Sequence, residues 1–354
     1  MDTQNAFKKE FFASANTYFG FKSYFGEIFS SQDYDRIFVL KGGPGTGKST
    51  LLKKVCDDFD VDDFNVERFR CSSDENSLDG VLIEKNGKRV AVIDGTAPHE
   101  RDAVIPGSVD TLVNLGEAID NEVMTKRKNE VLELNKKKKL SYLKAYDNLY
   151  KSSVFYINIK AELISRLNVG DAKRECETLA ALVNPSKSNA SGIRLLGAFS
   201  KRGRTFLDTL SCSASRCLKL SGAYGCETVF LTCFADFLVK IGVPFIKIIS
   251  ALDPESTEGI YFNLDDVLIV RASDESSYFD TRKLFGINKK SALHDELNAL
   301  DLGMKTFEDN AKEALVEASK YHFGLEDIYR SAVDFKIIDK KYEYIKEGIS
   351  KIFL

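Results

Sequence analysis

The 354-residue sequence predicts an α/β protein written twice: two three-layer units, each with a mainly parallel sheet and a helical hairpin. Three observations predict it. Short apolar runs alternate with stretches of helical spacing, the pattern of parallel strands joined by helices. A glycine-rich turn follows one such run and opens a helix. Four blocks then recur in the same order, about 180 positions further on.

The repeat divides the chain. LKGGPGTGKSTLL from Leu40 is echoed by LSGAYGCETVFLT from Leu220, with Gly42 over Gly222 and Gly45 over Gly225. SSDENSLDGV is echoed by ALDPESTEGI, which sets Asp74 over Asp253 and Gly80 over Gly259. VAVID from Val90 matches VLIVR from Val267, and LYKSSVFY matches IYRSAVDF with Tyr150 over Tyr329. Between the copies, VNPSKSNASG has linker composition. The expected domains are therefore 1–182 and 193–354, joined by 183–192.

Within the first copy the elements follow in order. Arg36–Leu40 is an apolar strand leading into the glycine turn. The next helix carries Leu51, Leu52, Val55 and Phe59 on one face. Further strands are expected over Asn65–Cys71 and Arg89–Asp94. A polar-rich helical stretch then spans about 108–167, with its counterpart over about 291–352. Leu143, Tyr146, Tyr150, Val154, Ile157, Ala161 and Ile164 recur at steps of three and four, which predicts an antiparallel helical pair packed on the sheet or on the other copy.

Composition narrows the function classes. Net charge is −3, which argues against a dedicated nucleic-acid binder. No apolar run is long enough to span a bilayer. Seven cysteines without a C-x-x-C pair and only three histidines argue against a Cys/His zinc site. Free thiols and no signal-peptide pattern point to the cytoplasm. The basic run Lys136–Lys139, interleaved with Glu130 and Glu133 upstream, reads as a solvated helix face.

The glycine turn carries the chemistry. Gly42, Gly43, Pro44, Gly45, Thr46, Gly47, Lys48 and Ser49 fit G-x-x-x-x-G-K-[ST], and Thr50 continues the motif. Glycines let successive amides turn inward toward phosphate oxygens, and the following helix adds its positive end. Lys48 is expected to reach the β- and γ-phosphates, and Ser49 to ligate Mg²⁺. This predicts a P-loop NTPase fold that binds ATP with Mg²⁺. Asp94, at the tip of an apolar strand, is the second expected metal ligand. Gly95 follows it, so the Asp-Glu pair that activates water in many ATPases is missing. His99, Glu100, Asp102 and Asp74 are the candidates to polarise water or an acceptor hydroxyl, with His99 first because it titrates near neutrality. Thr96 is a candidate γ-phosphate sensor. Lys201, Arg202, Arg204 and Arg216, with Arg68, Arg70 and Arg101, are candidate arginine-finger-type cations.

The second copy lacks these groups: Lys48 aligns with Thr228, Ser49 with Val229 and Asp94 with Arg271. No phosphoryl chemistry is expected there. One intact and one degenerate site predict a monomer built as an internal pseudo-dimer.

The phosphate loop, Leu78-Asp79-Gly80, the block Asp94-Gly95-Thr96-Ala97-Pro98-His99, Pro106-Gly107-Ser108-Val109-Asp110 and Asn114-Leu115-Gly116 together resemble a bacterial, Firmicutes-type family of tandem P-loop ATP-binding proteins. Its members are described as ATPases or nucleotide-kinase-like proteins. The resemblance implies a phosphate loop over Gly42–Thr50 and an acidic and histidine cluster over Asp94–His99. Members often carry a phosphate loop in both halves, and this chain departs from that. The leading expectation is an ATPase acting as a nucleotide-dependent switch or motor on an unknown partner. A small-molecule or nucleoside/nucleotide kinase and a slow nucleotide-dependent binding module are the alternatives.

Overall fold

The computed structural model describes residues 9–61, 63–183, 190–272, 277–288 and 292–354. Most of the expected linker, 184–189, lies outside them. The first half runs β1 (Lys9–Phe12), β2 (Ser14–Thr17), β3 (Gly20–Ser23), α1 (Phe25–Ile28), β4 (Arg36–Lys41), α2 (Lys48–Phe59), β5 (Asn65–Arg70), β6 (Leu78–Lys85), β7 (Lys88–Asp94), β8 (Asp110–Asn114), α3 (Asn121–Lys126), α4 (Lys128–Arg166) and α5 (Val169–Ala180). The second runs β9 (Gly192–Arg194), β10 (Gly197–Ser200), β11 (Gly203–Phe206), α6 (Thr209–Ser213), β12 (Arg216–Ser221), α7 (Cys226–Lys240), β13 (Ile246–Ile249), β14 (Thr257–Phe262), β15 (Val267–Arg271), β16 (Phe279–Asp280), α8 (Ala292–Arg330) and α9 (Phe335–Phe353).

The two halves have one topology. The sheets are ordered β1-β5-β6-β7-β4-β8 and β9-β13-β14-β15-β12-β16. Even the irregularities repeat: the register slips between Phe69 and Arg70 in one sheet and between Ile248 and Ile249 in the other. Both sheets are mainly parallel, but β6 and β14 run antiparallel to both neighbours. β6 was not among the expected strands. Its turn into β7 is Asn86-Gly87, both at positive φ (52° and 78°), the residue pair that a tight hairpin favours.

The expected three-layer unit with its own helical hairpin needs correcting on both counts. Only one face of each sheet is covered by long helices. The other faces share a single core between the copies, where Ile37, Val39 and Ile93 join Ile248, Leu268 and Val270, with Phe25 and Phe29 of α1 and Leu210 of α6. The stretch 108–167 also begins with strand β8 rather than a helix. No glycine or proline interrupts Lys128–Arg166, so α4 continues unbroken for 39 residues instead of folding into a hairpin. Its antiparallel partner is the 39-residue α8 of the other copy. Ser141 meets Glu317 and Ser152 meets the carbonyl of Met304. Opposite net charge assists the pairing: α4 carries nine basic and four acidic residues, α8 four basic and nine acidic.

The last helix of each half crosses over. Ala172, Cys176 and Leu179 of α5 pack with Phe230 and Phe234 of α7 on the second sheet. Ile338, Ile345 and Ile349 of α9 pack with Leu51, Leu52 and Val55 of α2 on the first. The two halves are therefore topological repeats among the described residues, and each sheet takes its outermost helix from the other half.

The apolar stripe on α4 is a second correction. Ala145 and Leu149 face α8 and pack with Ala311, Ala314 and Leu315. Leu143, Tyr150, Val154, Ile157, Ala161 and Ile164 lie on the far side and are exposed, with Tyr146 half-buried beside them. Small residues such as Ala145 and Ser152 suffice on the buried face because α8 approaches closely there, as Gly303 does against Phe155.

Candidate functional site

The site is built where two parallel strands end side by side. β4 pairs with β7 so that Leu40 stands beside Asp94. The loop 42–47 leaves β4 and turns into α2 at Lys48. Gly45 (φ 69°) and Gly47 (φ 86°) take the left-handed conformation that this reversal needs. Gly47 caps α2 without a side chain, so no side chain competes for the first amides of the helix. Thr46 is fully buried and donates to the carbonyl of Gly43 at 2.8 Å, which braces the loop from within.

Lys48 lies across this loop. Its Nζ donates to the carbonyls of Gly42 (2.9 Å) and Gly43 (2.8 Å) and is 3.7 Å from Asp94 Oδ2. Ser49, in the first turn of α2, accepts the Leu78 amide at 3.0 Å. Pro44 is half-buried, and Thr50 is exposed on α2. The outer side of the loop is packed by the second copy. A Cβ on Gly43 would lie 2.7 Å from the Tyr329 ring, and one on Gly45 would lie 2.5 Å from the Glu326 carbonyl, both at the end of α8. These two glycines therefore meet a packing demand as well as a backbone one.

Asp94 Oδ1 accepts from the Thr96 amide (2.9 Å) and the Thr96 hydroxyl (2.6 Å). Thr96 is thus tied to the carboxylate it follows. Asp79, from the start of β6, completes a buried cluster that sequence reasoning missed as a site. Ligating atoms of Asp79, Asp94 and His99 all lie within 4.8 Å of one another. The available signal was the acid repeated in both copies, Glu258 matching Asp79.

His99 is buried. Its ring stacks on Phe25 at 4.6 Å, and Nε2 lies 3.4 Å from Asp79 Oδ2. Burial by itself would lower the imidazole pKa, but the carboxylates of Asp79 and Asp94 outweigh it and hold the pKa above the ordinary value. Asp79 Oδ2 and His99 Nδ1 have no hydrogen-bond partner. Carboxylate oxygens are hard donors that would suit Mg²⁺, and Asp79 Oδ2, which has no hydrogen-bond partner, is the atom such an ion would satisfy.

The other candidates are held elsewhere. Lys41 pairs with Asp102 and donates to the Gly95 carbonyl, and Glu100 is exposed. Arg101 is fixed by Ser31 and Asp110, Arg68 by Asp60, and Arg70 by Glu10. From the second copy, Lys201 pairs with Asp74, Arg202 with Glu75 and Arg204 with Glu308. Arg216 is exposed at the end of β12 remote from its loop. Lys201 and Arg202 therefore tie the second copy to the turn between β5 and β6 through Asp74 and Glu75.

In the second copy the charges are reversed. β12 pairs with β15 so that Leu220 stands beside Arg271, where the first copy has Leu40 beside Asp94. Glu227 occupies the position of Gly47, and its carboxylate lies so close to Gly222 that a Cβ there would be 2.2 Å away. A cavity of ≈ 220 Å³ adjoins this loop, lined by Arg204, Glu227, Glu258 and Arg271 among others. Thr228 and Val229 stand at the positions of Lys48 and Ser49, and the cavity's cations are Lys160, Lys305, Arg204 and Arg271. No helix among the described residues is long and apolar enough to cross a membrane. No family model matches the chain, and no match is found among curated proteins or solved structures.

Proposed function

We propose that this protein binds one Mg-ATP at the loop Gly42–Ser49 and hydrolyses it, using nucleotide state as a switch on the contact between its two copies. One observation carries the reading. A G-x-x-x-x-G-K-S loop joins a central strand to a helix, with its lysine over the loop and 3.7 Å from the aspartate that ends the neighbouring parallel strand.

The roles follow from charge and reach. In the proposed complex Lys48 exchanges its two carbonyl partners for phosphate oxygens, and the uncapped amides of α2 accept the remaining negative charge. Mg²⁺, when bound, neutralises phosphate charge, and Ser49, Asp94 and Asp79 are the residues that would hold it. Thr96 orients Asp94. His99 lies 3.4 Å from Asp79 Oδ2, so its protonated form would balance that carboxylate's charge.

The switch reading is supported by what the loop touches. Any movement of Gly43 or Gly45 is felt by Tyr329 and Glu326 at the end of α8, and Gly47 lies against Phe335 and Ile338 of α9. The kinase alternative assigned the Asp94–His99 block to an acceptor site, but Thr96 and His99 are both engaged inward. The test is ADP release by the pure protein, with and without hydroxyl acceptors, beside Lys48→Ala. Turnover without acceptor that is lost in Lys48→Ala supports the reading. ADP formed only with an acceptor, alongside a phosphorylated product, replaces it with the kinase.

A further inference from the structure

The outward face of α4 carries a seam with no partner among the described residues. Leu140, Leu143, Asp147, Tyr150, Val154, Ile157, Ala161 and Ile164 follow one another at steps of three and four without a break, the a/d spacing of a coiled coil over more than three heptads. All eight are exposed. The six large apolar ones, Leu140, Leu143, Tyr150, Val154, Ile157 and Ile164, are each between 51% and 60% exposed. Scattered exposed apolar residues are ordinary, but a continuous apolar stripe marks a surface that is covered in use. The face of α4 turned toward α8 is already complete, with Ala145, Leu149 and Ser152 buried. The seam is therefore a second interface on one helix.

The residues flanking the seam select the occupant. At the positions that border a coiled-coil seam stand Lys139 and Lys144, followed by Lys151. All three are exposed. Two such seams facing each other would set lysine against lysine, which works against self-pairing. We propose that α4 docks an amphipathic helix of a partner protein, apolar at its a and d positions and acidic at its e and g positions. Asp147 sits at an a position, where one polar group fixes register at some cost in affinity. In the free protein Asp147 pairs with Lys151 at 2.7 Å, and an acidic partner residue would compete for that lysine. The inference rests on the seam alone and does not depend on nucleotide binding.

The experiment uses the full chain and two designed 28-residue helical peptides, both with Leu and Ile at a and d. One carries Glu at e and g, the other Lys. Binding is followed by isothermal titration calorimetry, and the oligomeric state of the protein alone by sedimentation velocity. The acidic peptide should bind one to one, at least tenfold tighter than the basic one. Leu143→Glu with Val154→Glu should abolish binding, and both sites are exposed, so folding is preserved. Lys144→Glu with Lys151→Glu should invert the preference toward the basic peptide. Equal binding of the two peptides, or binding indifferent to these substitutions, overturns the proposal. A dimer of the protein alone that dissociates in Leu143→Glu/Val154→Glu overturns it in favour of a second copy. Seam-dependent binding to anionic phosphatidylserine vesicles, without peptide binding, overturns it in favour of a membrane surface.

Discussion

Replacing Ile345 with alanine tests the crossing of α9 onto the first sheet. Ile345 is fully buried within the cluster that holds Leu51, Leu52 and Val55 of α2. The substitution removes three buried carbons, worth about 0.8 kcal/mol each by transfer. The cavity left behind adds to this, for a total of about 3 kcal/mol within the usual range of about 2–5. Urea unfolding should show that loss at unchanged m. Native-state hydrogen exchange should show where it falls. Because α9 closes the first sheet, protection should drop in β4 and β7, more than about 250 residues upstream in sequence, and not in β12 and β15. A loss below about 1 kcal/mol, or faster exchange confined to the second sheet, would refute the exchange of terminal helices.

Other outcomes follow from single contacts. Gly45→Ala forces a left-handed alanine, costing about 1–2 kcal/mol, and drives its Cβ into the Glu326 carbonyl. It should lower the melting temperature and weaken nucleotide binding together, and an unchanged melting curve would remove the loop–α8 contact from the account. His99 gives a pH signature. Its raised folded pKa means that its contribution is complete below the ordinary value of 6.5 and is lost as pH rises through the folded pKa. Urea midpoints measured between about pH 5.5 and 8.5 should fall more steeply in the wild type than in His99→Gln. Thr228→Ala, at the position matching Lys48, should leave turnover unchanged within about twofold, as expected of a site outside the chemistry. A large loss there would mean that the second copy takes part directly.

The loop, the helix after it and the duplication were legible because each is local or repeats itself. Gly42–Ser49 carries its geometry in its glycines, and Leu51, Leu52, Val55 and Phe59 are buried as their spacing implies. Asp79 was not legible as a site because a lone aspartate at the start of a strand looks like a turn residue. Only the folding of β6 beside β7 brings it near Asp94. The Asn86-Gly87 turn did carry the antiparallel signal, but the expected strands passed from Asn65–Cys71 to Arg89–Asp94 without one between them. The stripe on α4 shows the limit most clearly. Apolar periodicity from Leu143 to Ile164 reports that a face is to be covered, without saying by what, and Ala145 and Ser152 on the opposite face met α8 with little apolar signal. The crossing of α5 and α9 was equally silent, since a helix carries the same apolar face whichever of two similar sheets it covers.

The central claim is one triphosphate site per chain, and a calorimetric titration with Mg²⁺ and a non-hydrolysable ATP analogue tests it most directly. The account predicts a single equivalent bound, weakened about tenfold to a hundredfold in Lys48→Ala, as expected for loss of a charged hydrogen bond. Two equivalents per chain, or affinity untouched by Lys48→Ala, would contradict it.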